Sequence, residues 1–135
     1  MGVQMERSTE VESFIEEMYA LMRDGDGKGC ADLLHDEVTI FIGTDADEWW
    51  DTPAMSKAAF QEQLESTGGF DITAGGPVGY AEGDVGWAAD QPTMRIGDQS
   101  VPMRMTNVMR RVDGDWRVVQ GHLSVAANIN QDLFG

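Results

Sequence analysis

Lysine is scarce in this chain. Two of its nine basic residues are Lys, against 24 Asp and Glu, and the net charge is -15. A surface this negative repels nucleic acid and anionic lipid, so neither is expected as a partner. Histidine is as rare, with His35 and His122 alone. Neither has a second His or a Cys at ligand spacing, which argues against zinc. The single cysteine, Cys30, excludes an internal disulfide, and its apolar helical surroundings make it a small buried hydrophobe. No apolar run approaches the roughly 20 residues a membrane span needs. The start, Met-Gly-Val-Gln-Met-Glu, lacks a basic segment followed by an apolar one, so no secretory signal is expected and the cytoplasm is the default. Glu6 and Arg7 stand where a myristoylation signal wants Ser or Thr. Repeats and low-complexity segments are absent. A length of 135 residues with 41% hydrophobic content suits one domain with one core, ordered over about 9–127.

What is present is periodic. Thr9 and Glu12 have capping-box spacing. Val11, Phe14, Ile15, Met18, Leu21 and Met22 then form a helical stripe. Asp24-Gly25-Asp26-Gly27 ends it; this spacing hints at a calcium loop, but the later ligands are missing. A short helix is predicted over Lys28 to Leu34, and His35-Asp36-Glu37 makes a turn. Val38 to Ile42 is a β-branched and aromatic strand. The acidic stretch from Gly43 to Pro53 carries Trp49 and Trp50, which cannot both point one way on an extended chain. Its carboxylates read as a solvated loop rather than a metal site. Ser56 is expected to cap a helix from Lys57 to Glu65. Strands are predicted over Phe70 to Thr73, Val78 to Ala81 and Val85 to Ile96, the last with a bulge or edge near Pro92. Residues 1–7 and the tail from Asn128 lie outside the expected core.

Val101 to Ala126 reads as two long strands joined at Val112-Asp113-Gly114. Asp-Gly between alternating runs is a hairpin signal, and loop length decides which side chains share a face. A two-residue turn would mix polar and apolar on both faces. A three-residue loop sets Met103, Met105, Asn107 and Met109 beside Val119, Gly121, Leu123 and Val125, with Arg104, Trp116, His122 and Ser124 opposite. The second separates the faces, as burial demands, and is the expected register. Asn107 is then the one polar residue on the apolar face. It is either satisfied by a neighbour or a buried water, or it is the polar contact of a pocket.

Helix, short helix, strand, helix and a run of long antiparallel strands make an α+β layout. The helix end Met22-Arg23-Asp24-Gly25-Asp26, the strand entry His35-Asp36-Glu37-Val38-Thr39-Ile40 and the run Thr106 to Ser124 resemble the nuclear transport factor 2-like superfamily. That superfamily includes ketosteroid isomerase and the SnoaL-like polyketide cyclases. The closing strands also resemble the association domain of calcium/calmodulin-dependent kinases, through Thr-x-Val, Asp-Gly-x-Trp and His-x-Ser. The resemblance implies three helices packed on a strongly curved, mostly antiparallel sheet that forms a cone with an internal pocket. It also implies a homodimer through the outer sheet face, where Arg104, Trp116, His122 and Ser124 would lie. Ketosteroid isomerase uses an Asp base with a Tyr and a protonated Asp as oxyanion hole. Along this chain those positions fall on Ile42, on Met18 with Tyr19 one residue off, and on Asn107, so that reaction is not expected.

The expected function is therefore binding of a small apolar ligand, with isomerase- or cyclase-type chemistry left open. The pocket would be lined by Phe14, Met18, Met22, Ile42, Trp50, Phe60, Met103, Met105, Asn107, Val119 and Leu123. A flat molecule with one carbonyl or hydroxyl facing Asn107 would suit it. If an acid or base takes part, Asp90 and the acidic loop from Asp47 to Asp51, with Asp51 foremost in it, are the nearest candidates. No cofactor is implied. Two alternatives stand beside this reading: the methionines fill a closed core, or the domain is a non-catalytic homodimeric assembly module.

Overall fold

The structure, a computed structural model, describes residues 5–126. The order of elements is β1 (Glu6–Arg7), α1 (Thr9–Asp24), α2 (Gly27–Asp32), β2 (Ile40–Ile42), β3 (Trp49–Trp50), α3 (Pro53–Thr67), β4 (Asp71–Thr73), β5 (Val78–Glu82), β6 (Val85–Asp90), β7 (Thr93–Ile96), β8 (Gln99–Val112) and β9 (Asp115–Val125). The expected α+β layout, three helices on a large and mostly antiparallel sheet, is what forms. The sheet runs β1-β5-β6-β8-β9-β2-β3, with β7 also on β8 and β4 on β7. Among the described strands one pair is parallel: β2 lies on β9, Phe41 opposite Gly121.

The helix ends explain several boundary differences. Ser8, not Thr9, caps α1, its hydroxyl accepting from the Val11 amide at 3.1 Å. Glu12 consequently closes no capping box. Its carboxylate accepts from the Gly79 amide at 2.9 Å and from Arg7 at 2.8 Å, tying α1 to β5. The Gly79 amide first, and Arg7 after it, hold this carboxyl below the usual range. The third helix starts at Pro53 with Thr52 as its cap, ahead of the expected Ser56. A fixed φ and a missing N–H suit Pro to the first helical position. The strand expected over Val85 to Ile96 is two strands, broken at Gln91-Pro92. Pro92 cannot donate to a ladder; its carbonyl instead accepts from the Met103 amide at 2.8 Å.

Glycine decides how α1 meets α3. Gly69 has φ 121°, and a Cβ there would lie 2.6 Å from the Arg23 carbonyl oxygen. The approach lets the Phe70 amide donate to the Met22 carbonyl at 2.9 Å, which sets the Phe70 and Met22 side chains at one end of the fold.

The hairpin turn corrects the expected three-residue loop. Val112 pairs with Asp115, so the turn is Asp113-Gly114, with φ 52° and 88°. Positive φ at both central positions is the turn whose twist matches the strands. The register still shifts by one residue, further along. Val108 pairs with Gln120 and Met109 with Val118, leaving Val119 as the extra residue of a β-bulge. Past the bulge the faces fall as expected, with Met103, Met105 and Asn107 opposite Val125, Leu123 and Gly121. Before it they are exchanged. Trp116 and Val118 point into the core, 4% and 0% exposed, so Trp116 is not an outer-face residue. Val119 lies outside with Val85 and Val108.

The core packs Val11, Phe14, Ile15, Met18, Tyr19 and Met22 of α1 against Phe60 and Leu64 of α3 and the inner sheet residues Phe41, Ile72, Ala88, Met105, Met109, Trp116 and Val118. Cys30 is buried among them, and burial pushes its thiol up to about 12. Trp49 is 57% exposed while Trp50 packs on the core, the division expected of two adjacent tryptophans. Among the described residues no helix is long and apolar enough to cross a membrane.

A candidate site at the open end of the sheet

The end of the fold set by Phe70 and Met22 is hollow. A recess of about 300 Å³ opens there between α3, β2, β3, β7, β8 and β9. Its walls are Phe41, Trp50, Phe60 and Phe70, the thioethers of Met22, Met94 and Met103, and Leu123. The aromatic rings hold one another: Phe41 meets Phe60 edge to face at 4.7 Å and lies 6.2 Å from Trp50, near parallel to it. Trp50 reaches the recess because β3 pairs it with Phe41, whose side faces inward opposite Gly121. Gly121 is obligatory for this packing, since a Cβ there would stand 2.4 Å from the Phe41 ring.

The polar side is built on Glu48, which accepts from Gln63 Nε2 at 2.7 Å and from the Asp45 amide at 2.9 Å. Thr44, Ser66 and Thr67 complete the rim. Glu48 is the one ionisable side chain among the described residues that line the recess.

Of the residues expected in a pocket, Met22, Trp50, Phe60, Met103 and Leu123 line this recess. Phe14, Met18 and Met105 do not; they are closed into the core. The methionines thus fill the deep part of the cone and leave its mouth open. Ile42 pairs with His122 and lies on the outer face, because Phe41 takes the inner position. Val119 lies outside for the bulge reason given above. Asn107 is inward and 1% exposed, yet it does not line the recess. Its Nδ2 sits 2.7 Å from Met105 Sδ, and among the described residues its Oδ1 has no partner. Phe41, Phe70 and Met94 are not among the expected pocket residues, whereas Glu48 belongs to the acidic loop named as a candidate source of an acid or base. In Val38 to Ile42 the one polar residue, Thr39, shares its face with Phe41, so alternation would turn Ile40 and Ile42 inward instead; Thr39 is buried because its hydroxyl donates to the Val118 carbonyl at 3.0 Å.

Asp51 and Asp90 are elsewhere. Asp51 is exposed just ahead of α3. Asp90 is 8% exposed, and its Oδ2 accepts from the Tyr19 hydroxyl at 2.9 Å and the Gly75 amide at 3.1 Å. It borders a separate groove with Gly75, Gly76, Gln91 and Arg104. Burial, then the Asp90 charge and hydrogen bond, push the Tyr19 phenol well above its ordinary range. The one-residue offset between Met18 and Tyr19 thus has a structural counterpart: Met18 is core and Tyr19 carries the polar contact.

His122 lies opposite Thr106, and Ser124 opposite Arg104, on the outer face and away from the recess. Tyr80 and Trp87 stack at 6.1 Å on the same face of the sheet, Trp87 opposite Val108, an aromatic pair not anticipated from the sequence. Among the described residues no three His, Cys, Asp or Glu are grouped to hold a metal.

No curated protein matches the chain. Solved structures do. An NTF2-like protein of unknown function from Pseudomonas putida KT2440 is 22% identical at a TM-score of 0.77, over 93% of this chain and 94% of that one. A candidate ketosteroid isomerase from Parabacteroides distasonis is 17% identical at 0.73, over 93% and 97%. A candidate calcium/calmodulin-dependent protein kinase type II association domain from Thiobacillus denitrificans is 21% identical at 0.69, over 86% and 94%. At these identities the likeness is one of fold, and fold does not carry activity. The SnoaL-like domain matches residues 11–128, nearly the whole folded chain, and the protein belongs to that family.

Proposed function

We propose that the protein binds a small, largely apolar molecule in the recess at the open end of the sheet. The observation that carries this is the lining: four aromatic rings and three thioethers around about 300 Å³, with polar groups confined to one side. Such a composition is costly to leave against water and typical of ligand sites, and thioethers adapt to shape. The test is a thermal-shift screen with small aromatic and alicyclic compounds. A ligand at 100 times its dissociation constant stabilises by roughly 2.7 kcal/mol. If no compound raises the melting temperature, or if those that do so act equally on a Leu123→Trp variant with a filled recess, the proposal fails.

Isomerase- or cyclase-type chemistry has less support. Asp90 borders another groove, and the recess itself offers Glu48 as its one titratable group.

A second reading is favoured by the outer sheet face. Ile40, Val85 and Val112 are 36%, 43% and 39% exposed, on the face that also carries the Tyr80–Trp87 stack. A second copy covering this face would bury them, with Arg104, His122 and Ser124 at the contact and Trp116 no part of it. Sedimentation at two concentrations tests it: a monomer at the higher one removes this reading and leaves the binding proposal untouched.

A further inference from the structure

We infer that the ligand of the recess is an organic cation: an alkylated or primary ammonium group carried on an apolar body. The inference rests on the binding proposal and adds the charge of what is bound. Three features of the recess agree. Phe41, Trp50, Phe60 and Phe70 present ring surface to it, and ring faces attract a cation within about 6 Å of a centroid. Among the described lining residues there is no Lys, Arg or His, and the one charge is the Glu48 carboxylate. That carboxylate is half-buried and fixed by Gln63 and the Asp45 amide, so it stands ready without rearrangement.

The surroundings strengthen the same sign. Asp45, Asp47 and Glu62 border the hollow on the far side of Glu48 and Gln63. The chain as a whole carries -15. A low-dielectric cleft in a molecule of one sign focuses its field and concentrates counter-ions. A carboxylate ligand would meet that field with no basic partner inside the recess. A neutral ligand would gain the apolar contacts but nothing from Glu48. A cation with an apolar body gains both.

The experiment compares two probes of one shape. 4-(Trimethylammonio)benzyl alcohol carries a quaternary nitrogen where 4-tert-butylbenzyl alcohol carries a carbon. Binding of each to the full chain is measured by calorimetry or ligand-observed NMR. The cation is expected to bind about tenfold tighter, the scale of a desolvated cation–π contact with a nearby carboxylate. In Glu48→Gln, and separately in Trp50→Leu, the ratio is expected to fall toward one while the neutral alcohol still binds. Raising salt from about 0.05 to about 0.5 M should weaken the cation and leave the alcohol unchanged, since screening acts on charge. This last arm needs no variant. Equal binding of both probes, or tighter binding of the alcohol, overturns the cation and leaves the apolar site standing; a tenfold ratio that survives Glu48→Gln or added salt overturns the part given to that carboxylate. If neither probe binds wild type, the binding reading fails and the cation with it.

Discussion

The Tyr19 hydroxyl donates to Asp90 Oδ2 at 2.9 Å, joining α1 to the end of β6 in the interior. Removing the phenol oxygen leaves a buried carboxylate short of a donor. Tyr19→Phe should therefore cost roughly 1–3 kcal/mol in urea unfolding. A cost near zero would show that Asp90 finds another partner.

The same pair sets an alkaline limit. In the folded chain the Tyr19 phenol ionises above its ordinary value of 10.0, held there by burial and by Asp90. A raised folded pKa means that the unfolded chain loses this proton first. The contribution is complete below about pH 10 and declines as pH climbs past it. Wild type should lose stability with pH faster than Tyr19→Phe above pH 10. Parallel curves would contradict this assignment.

The bulge at Val119 predicts opposite outcomes for neighbouring valines. Val118 is 0% exposed and inward, whereas Val119 lies on the outer face. Val118→Thr buries a hydroxyl and should cost roughly 1–3 kcal/mol. Val119→Thr should stay within about 0.5 kcal/mol. A reversal in denaturant midpoints would restore the three-residue loop.

Thr52 caps α3 by accepting from the Met55 amide at 3.1 Å. Thr52→Ala should lower stability by about 1 kcal/mol. Ser56, expected from the sequence as the cap, instead donates to the Trp50 carbonyl at 3.2 Å. It is buried, and Ser56→Ala should act on the placement of Trp50, read as weaker probe binding with the helix intact.

Gly121 has no room for a side chain beside Phe41. Gly121→Ala should cost roughly 1–3 kcal/mol through overpacking and displace the Phe41 ring from the recess wall. Tryptophan fluorescence reports the second effect through Trp50. An unchanged spectrum and midpoint would mean that β2 moves away freely.

The sequence alone determined the layout. The stripe from Val11 to Met22 could bury only as a helix. The Asp-Gly pair between alternating runs could close only as a hairpin. The excess of acid set the sign of the surface. These are local or summed properties, and no distant residue alters them. Legibility failed where a contact far along the chain chose between local options. Thr52 and Ser56 both suit a cap, and the packing of Trp50 assigns them different work. In Val38 to Ile42 the polar Thr39 shares a face with Phe41, and only pairing with β9 turns that face inward. A turn and a bulge can each shift a hairpin by one residue. The tertiary structure placed that shift at Val119, which put Trp116 and Val118 inside while keeping Asn107 where alternation had set it. Tertiary packing also decided where the hollow lies. Met18 and Met105 fill the deep cone, and the close approach at Gly69 brings Phe70 to Met22 around its mouth.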